Sequence, residues 1–288
     1  MAWICRLVLI LLAAYAAVIA LLLIFEKRLI FFPQVPGRPS GDWSPPGLGQ
    51  EEVWLTTRDG VRLNAWWIPA RAGLDSGNLP TILCFHGNAA NIAWRADVYR
   101  FLRDLPANVL ALEYRGYGKS EGSPSEAGIY RDAEAAYAYL LRERGLPPRQ
   151  IIALGQSLGT AVAAELAAQN ELGGIVLEAP FPSARAMARR TFWFVPGLPW
   201  LIRSHFDTAN NLQTANSKFG APLLVIHCTS DPVIPFAFGK EVYDRAPQPK
   251  SFLAVKGECH EEAMLIDPVT LRQEWIRFLE GTRARAAR

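Results

Sequence analysis

The chain has 288 residues, half of them hydrophobic and a fifth charged, with a formal charge of +3. That composition is too apolar and too weakly charged for a disordered chain or for one that wraps nucleic acid, so no nucleic-acid partner is expected. The length suits one large α/β domain or two small ones.

The first feature along the chain is apolar. From Leu7 to Phe25 run 19 residues without a charge, close to the roughly 20 that a helix needs to cross a bilayer. Arg6 precedes this run, and Glu26, Lys27 and Arg28 follow it. The apolar cores of cleaved signal peptides are shorter, about 7–15 residues, and their small-residue cleavage site follows the core. Here the Ala-x-Ala-like triplets lie inside the run. Residues 1–28 therefore read as an uncleaved, single-pass signal anchor, with cleavage as the alternative. Positive charges at both ends set its orientation poorly. Residues 29–50, rich in Pro and Gly from Pro33 to Gly49, read as an extended linker lifting a globular domain off the membrane.

Alternating apolar runs at 53–57 and 61–69 flank Asp59-Gly60, a hairpin signal. Short β-rich runs then follow at 81–87, 108–114, 151–155, 174–180, 222–228 and 251–257. Between or after them, helical patterns occupy 91–104, 125–144, 158–169 and 268–280. Continuous apolar strands alternating with helices predict a mostly parallel, eight-stranded sheet covered on both faces, spanning residues 51–280. An insert at about 181–220 carries TFWFVPGLPWLIRSHF (191–206). A connection that long is expected to be a cap over an apolar pocket, or else a packed helical excursion. Residues 281–288, with Arg283, Arg285 and Arg288, read as a basic, frayed tail.

The chemistry centres on Gly155-Gln156-Ser157-Leu158-Gly159, a serine between two glycines where a strand run meets a helical one. Functional residues of parallel α/β sheets gather at the carboxyl ends of strands. A serine hydroxyl becomes nucleophilic when a histidine takes its proton and an acid orients that histidine. The chain has four histidines. In the order Ser, acid, His, only His227 and His260 follow a suitable acid. His227 lies within an apolar strand run and reads as buried and hydrogen-bonded, while His260 follows the last strand run in GECHEEA. Asp231 follows the preceding strand run in CTSDPVIP, and Glu178 is the competing acid. Ser157, Asp231 and His260 are thus the expected catalytic residues. Backbone N–H groups of Leu158, at a helix start, and of Asn88, after His86-Gly87, are the expected oxyanion donors. His86 reads as structural, and His205 as a surface or lid residue.

HGNAAN (86–91), EYRGYGKSEGSPSEAG (113–128), GQSLG (155–159), SDPVIP (230–235) and His260 resemble the motifs of the α/β-hydrolase superfamily. They look most like its small membrane-anchored serine hydrolases, the bud-emergence-protein-like branch of single-pass α/β-hydrolase-domain proteins. The resemblance covers about Glu51 to Glu280. It implies the α/β-hydrolase sheet and a serine-hydrolase triad, and says little about substrate. In that branch the segment 114–118 forms a loop beside the site, so Tyr114 is expected to line the substrate pocket. Phe192, Trp193 and Trp200 of the insert are expected to line it too.

Two departures from the family pattern coincide. Cys228 and Cys259 stand where the family usually has glycine. If Asp231 contacts His260 the two loops touch, which implies a Cys228–Cys259 disulfide; the alternative is two separate small-residue replacements. A disulfide requires an oxidising compartment and puts the catalytic domain on the non-cytoplasmic side. The expected activity is cleavage of an ester, thioester or lipid acyl bond at a membrane, with no metal or organic cofactor implied. A peptidase or amidase on the same triad, and a non-catalytic scaffold of the same fold, are the alternatives.

Overall fold

The computed structural model describes residues 1–36, 40–73 and 79–286. Helix α1 (Ala2–Ile24) is followed, after a bend at Phe25, by the short helix α2 (Glu26–Ile30). No residue of α1 is buried, and its mean hydropathy over the most apolar window is 3.1. It is long and apolar enough to cross a membrane.

The globular part is built on one eight-stranded sheet, in the order β1-β2-β4-β3-β5-β6-β7-β8. The strands are β1 (Glu51–Thr56), β2 (Arg62–Ile68), β3 (Thr81–Phe85), β4 (Asn108–Leu112), β5 (Ile151–Gln156), β6 (Gly174–Glu178), β7 (Leu223–Cys228) and β8 (Lys250–Val255). β1 and β2 form the antiparallel hairpin expected around Asp59-Gly60, and β2 runs antiparallel to β4. The remaining neighbours are parallel. Burial explains the two textures. Every residue of β3, β5, β6 and β7 is buried, so both faces demand apolar side chains, whereas edge strand β1 buries alternate residues.

Helices cover both faces. On one face lie α4 (Glu126–Arg142), α5 (Leu158–Gln169), α8 (Thr208–Phe219) and α9 (Phe236–Arg245); on the other lie α3 (Ala96–Arg103) and α11 (Pro268–Ala286). The helix at 236–245 is not among those expected from the sequence. It begins after Pro235, whose ring favours a helix entry, and buries Gly239 and Val242.

Three expectations about boundaries need correction. Residues 29–50 are not a free spacer: Phe31 and Leu48 are buried, and Phe32 pairs with Ala89 in an isolated parallel bridge. Apolar side chains at those positions recover more by packing than an extended linker would. Residues 37–39 of this stretch lie outside the described residues. The insert is shorter than 181–220, because α8 belongs to the scaffold. Its Ala209, Leu212 and Ala215 share one face and are buried against α5, whose alanines permit close approach. The cap is therefore 181–207, with α6 (Ala184–Thr191) and α7 (Leu198–Leu201). Lastly, the basic tail is helical through Ala286. Thr282 is buried, and Arg285 donates to the carbonyls of Phe219 and Gly220, capping the end of α8. Arg288 lies outside the described residues.

Candidate active site

Ser157 stands between β5 and α5 with φ 49° and ψ −116°, a conformation that costs energy in any residue but glycine. Its neighbours explain how the turn fits. A Cβ on Gly155 would lie 2.3 Å from the carbonyl oxygen of Gly159, and one on Gly159 would lie 2.0 Å from that of Phe85. Neither position admits a side chain. The Ser157 N–H donates to Glu178 O at 3.0 Å, tying the strained turn to β6.

At neighbouring strand ends lie the other two residues. Asp231 follows β7 and His260 follows β8. His260 Nε2 is 2.9 Å from Ser157 Oγ, and His260 Nδ1 is 2.8 Å from Asp231 Oδ2. The second oxygen, Asp231 Oδ1, accepts from the N–H groups of Val233 and Ile234, each at 2.8 Å. Burial by itself raises the Asp231 pKa, but hydrogen bonds from His227 and His260, the His260 charge and the Ile234 N–H more than reverse this. The carboxyl is held well below the usual range. Burial pulls His260 down, while the Asp231 bond and the charges of Glu261, Asp231 and Glu178 push harder upward, so its pKa is raised. A base holding its proton above the ordinary histidine range, oriented by an ionised acid, is suited to moving a proton at Ser157 Oγ.

Glu178, the competing acid, does not reach His260. It lies beneath the loop, where Oε2 accepts from Gln156 Nε2 at 2.7 Å and Oε1 from the Ala263 N–H at 3.0 Å. Complete burial pushes its pKa to about 8, the two bonds offsetting only part of the effect. Gln156 also donates to Glu261 O at 3.1 Å, so the loop carrying His260 hangs from β5 and β6. Arg95 Nη2 bonds Glu261 Oε2 at 3.1 Å from the other side. Gly87 makes room for this carboxylate, since a Cβ there would meet Glu261 Oε1 at 1.8 Å. Cys228 and Cys259 are joined in a disulfide, with Cα atoms 5.6 Å apart, within the roughly 4.4–6.8 Å such bonds span. The bridge links the two loops that bear the acid and the histidine.

Of the other histidines, His227 is buried and its Nε2 lies 3.0 Å from Ile234 O and 3.5 Å from Asp231 Oδ2. His86 is buried too, with Nε2 3.1 Å from Glu113 Oε1 and Nδ1 2.7 Å from Gly87 O. His205 is exposed on the cap. Among the described residues no group of three or more His, Cys, Asp or Glu is arranged to hold a metal ion.

Ser157, Leu158 and Asn88 line one cavity of about 370 Å³. The Leu158 N–H belongs to the first turn of α5, which no intrahelical carbonyl takes up. The Asn88 loop is clamped from outside. Asn88 O accepts from Phe32 N at 2.9 Å and from Tyr117 Oη at 2.8 Å, and Asn88 Nδ2 donates to Ile30 O at 3.0 Å.

The rest of the cavity wall differs from the expected one. Phe192 lines it, but Trp193 and Trp200 point outward with 78% and 64% of their surface exposed. Beyond Phe192 the cap turns Leu198 and Ile202 toward the cavity and Trp193 and Trp200 away from it, and Trp200 lies instead under the guanidinium groups of Arg185 and Arg189. Tyr114 is fully buried below the site, its hydroxyl donating to His86 O at 3.0 Å and its ring tilted by 40° against the His86 ring, with centroids 4.2 Å apart. It supports the loop that carries His86 and Asn88 and does not line the cavity. In its place stand Leu22, Glu26, Leu29 and Ile30, from the end of α1 and from α2. No local pattern marks them as pocket residues: Leu22, Leu29 and Ile30 are simply apolar positions at and beyond the end of α1, and Glu26 is charged. Glu26 is buried and accepts from the Arg203 and Ser204 N–H groups, at 3.1 and 2.7 Å, which pins the returning segment of the cap to α2.

Residues 80–221 match the α/β-hydrolase fold family model. The chain is 35% identical to the α/β-hydrolase domain-containing protein WAV2 of Arabidopsis thaliana, the match covering 91% of this chain and 90% of that one. It is 33% identical to an uncharacterised protein of Mycobacterium tuberculosis, covering 89% and 88%. Among solved structures, an esterase of Pyrococcus furiosus superposes with a TM-score of 0.66 at 23% identity, covering 86% of this chain and 98% of its own. With 35% identity over nine tenths of both chains and a match to the family model, the chain belongs to the α/β-hydrolase family.

Proposed function

We propose that the protein is a membrane-tethered serine hydrolase of the small membrane-anchored branch of the family, cleaving an ester, thioester or lipid acyl bond through an acyl-enzyme. The observation that carries this reading is the unbroken chain Ser157 Oγ, His260 Nε2, His260 Nδ1, Asp231 Oδ2, with links of 2.9 and 2.8 Å, at the floor of an apolar cavity. As Ser157 Oγ attacks the acyl carbonyl, His260 takes its proton and Asp231 stabilises the imidazolium. The N–H groups of Leu158 and Asn88 receive the oxyanion, the first with the help of the α5 dipole. His260 then hands its proton to the leaving oxygen or sulfur. Water, deprotonated by the same histidine, releases the acid and restores Ser157. α1 tethers the domain, and the Cys228–Cys259 disulfide favours an oxidising, non-cytoplasmic compartment. Relatives described as esterases favour an oxygen ester.

A fluorophosphonate probe tests the reading. The full chain in detergent is expected to be labelled at Ser157, and Ser157→Ala is expected to abolish labelling and to lower esterase turnover by about 10³-fold or more. Absence of labelling in folded wild-type protein would remove the serine-nucleophile mechanism.

A further inference from the structure

The anchor and the cap touch at an unexpected depth. Tyr15 Oη donates to Pro196 O, at the tip of the cap. Tyr15 lies nine residues before Ile24, the end of α1; at about 1.5 Å per residue that is roughly 13 Å along the helix. A spanning α1 crosses a hydrocarbon slab about 30 Å thick. If Ile24 marks the membrane boundary, the tip of the cap lies well inside that slab.

The composition of the tip suits that location. Trp193, Phe194, Trp200 and Leu201 are 78%, 61%, 64% and 51% exposed, on the same short excursion. Placing backbone in hydrocarbon costs less where its polar groups are bonded locally. Here the N–H groups of Phe192, Val195, Leu198, Trp200 and Ile202 bond carbonyls three or four residues back. Pro196 and Pro199 carry no N–H at all, and Tyr15 takes up the Pro196 carbonyl. Arg185 and Arg189 reach over the Trp200 ring, at 4.6 and 5.7 Å, and Arg190 is exposed beside them. Such long side chains keep their stems in apolar surroundings and carry their charges outward to the lipid phosphates.

The cavity continues the same geometry inward. One wall is Leu22, Leu29 and Ile30 of the anchor segment, and the facing wall is Met187, Phe192 and Ile202 of the cap, with Ser157 at the base. We propose that the cap is immersed in the bilayer and that the space between cap and anchor admits the acyl chain of a membrane lipid laterally, so that the anchor is itself a wall of the substrate site. The substrate class is then a long-chain acyl ester resident in the membrane, whose carbonyl reaches Ser157 while its tail stays in apolar surroundings. Water adds across the acyl C–O bond, releasing a fatty acid and an alcohol. This rests on the reading of Ser157 as nucleophile and of α1 as an anchor.

Two measurements on the full chain in phosphatidylcholine vesicles test it. The first compares the tryptophan emission of wild type and Trp193→Phe. The component lost in the variant is expected to be quenched by lipid brominated in mid-chain and to be insensitive to aqueous iodide. Quenching by iodide without quenching by bromolipid would overturn the immersion. The second measures kcat/KM of Leu22→Trp on p-nitrophenyl laurate and p-nitrophenyl acetate. The ratio of laurate to acetate is expected to fall about tenfold, the scale on which pocket shape discriminates apolar chains. An unchanged ratio would overturn the anchor wall. The quenching measurement needs no turnover, so a protein that fails to react with fluorophosphonate would refute the hydrolase while the immersion is still decided.

Discussion

Two sides of one cavity are built by different means. Ser157, Asp231 and His260 come from the ends of β5, β7 and β8, strands whose register in one sheet sets their spacing to the ångström. Leu22, Glu26 and Ile30, facing them, come from α1 and α2, outside the sheet, and are held by a few polar clamps. Glu26 takes the Arg203 and Ser204 N–H groups, Glu126 takes those of His205 and Phe206, and Asn88 bonds the backbone of Ile30 and Phe32. The Ser157 side is therefore fixed by the sheet. The facing side is docked on it through those clamps and through Phe31, which packs into the core.

That contrast makes ordered expectations. The largest effect belongs to the Ser157 side. Asp231→Asn preserves volume but removes the charge that orients His260, and is expected to lower kcat by about 10⁴. It also moves the pH profile in a definite direction. His260 acts as a base only when neutral, and its pKa lies above the ordinary 6.5, so activity should rise with pH through a midpoint above that value. Without the Asp231 bond and charge the midpoint should move down; a profile that stays in place would separate Asp231 from His260. The next effect concerns the bridge between the two loops. Cys228→Ser, or reductant on wild type, removes a link closing a 31-residue separation and is expected to cost about 2–4 kcal/mol. Differential scanning calorimetry should show a lower Tm, and equal Tm values with and without reductant would count against any structural contribution.

The smallest effect belongs to the docked side. Glu26→Gln keeps the shape but weakens charge-assisted bonds, by about 1–2 kcal/mol in all. The sheet is untouched, so global melting should hardly change. The cap should open more often, which limited trypsinolysis would report as faster cleavage after the exposed Arg203. An unaltered cleavage rate would mean that the clamp does not hold the cap.

The sequence was legible wherever a demand is local. Ser157 needs a turn that only small neighbours allow, so Gly155 and Gly159 announce it within five residues. Asp231 and His260 follow strand runs apolar enough to be recognised, and the position just past such a run is already a location at the end of the sheet. The pairing of Cys228 with Cys259 was legible only through the family comparison, because two isolated cysteines carry no geometry of their own. Tyr114 was misplaced because aromatic character is the same whether a ring lines a cavity or supports its floor. Trp193 and Trp200 were misplaced for a related reason: an apolar insert does not say which of its faces is inside.

From the sequence alone came the strand–helix alternation, the order Ser157, Asp231, His260, and a helix apolar enough to span a bilayer. These depend on periodicity, steric exclusion at glycine and side-chain chemistry, all of which act over a few residues. Only the tertiary structure decided that α8 belongs to the scaffold, that residues 29–50 dock on the loop bearing Asn88, and that Leu22, Glu26 and Ile30 close the cavity over Ser157. Each of those joins segments more than 40 residues apart, and such contacts are selected by the summed packing of the whole fold, which no short stretch of sequence contains.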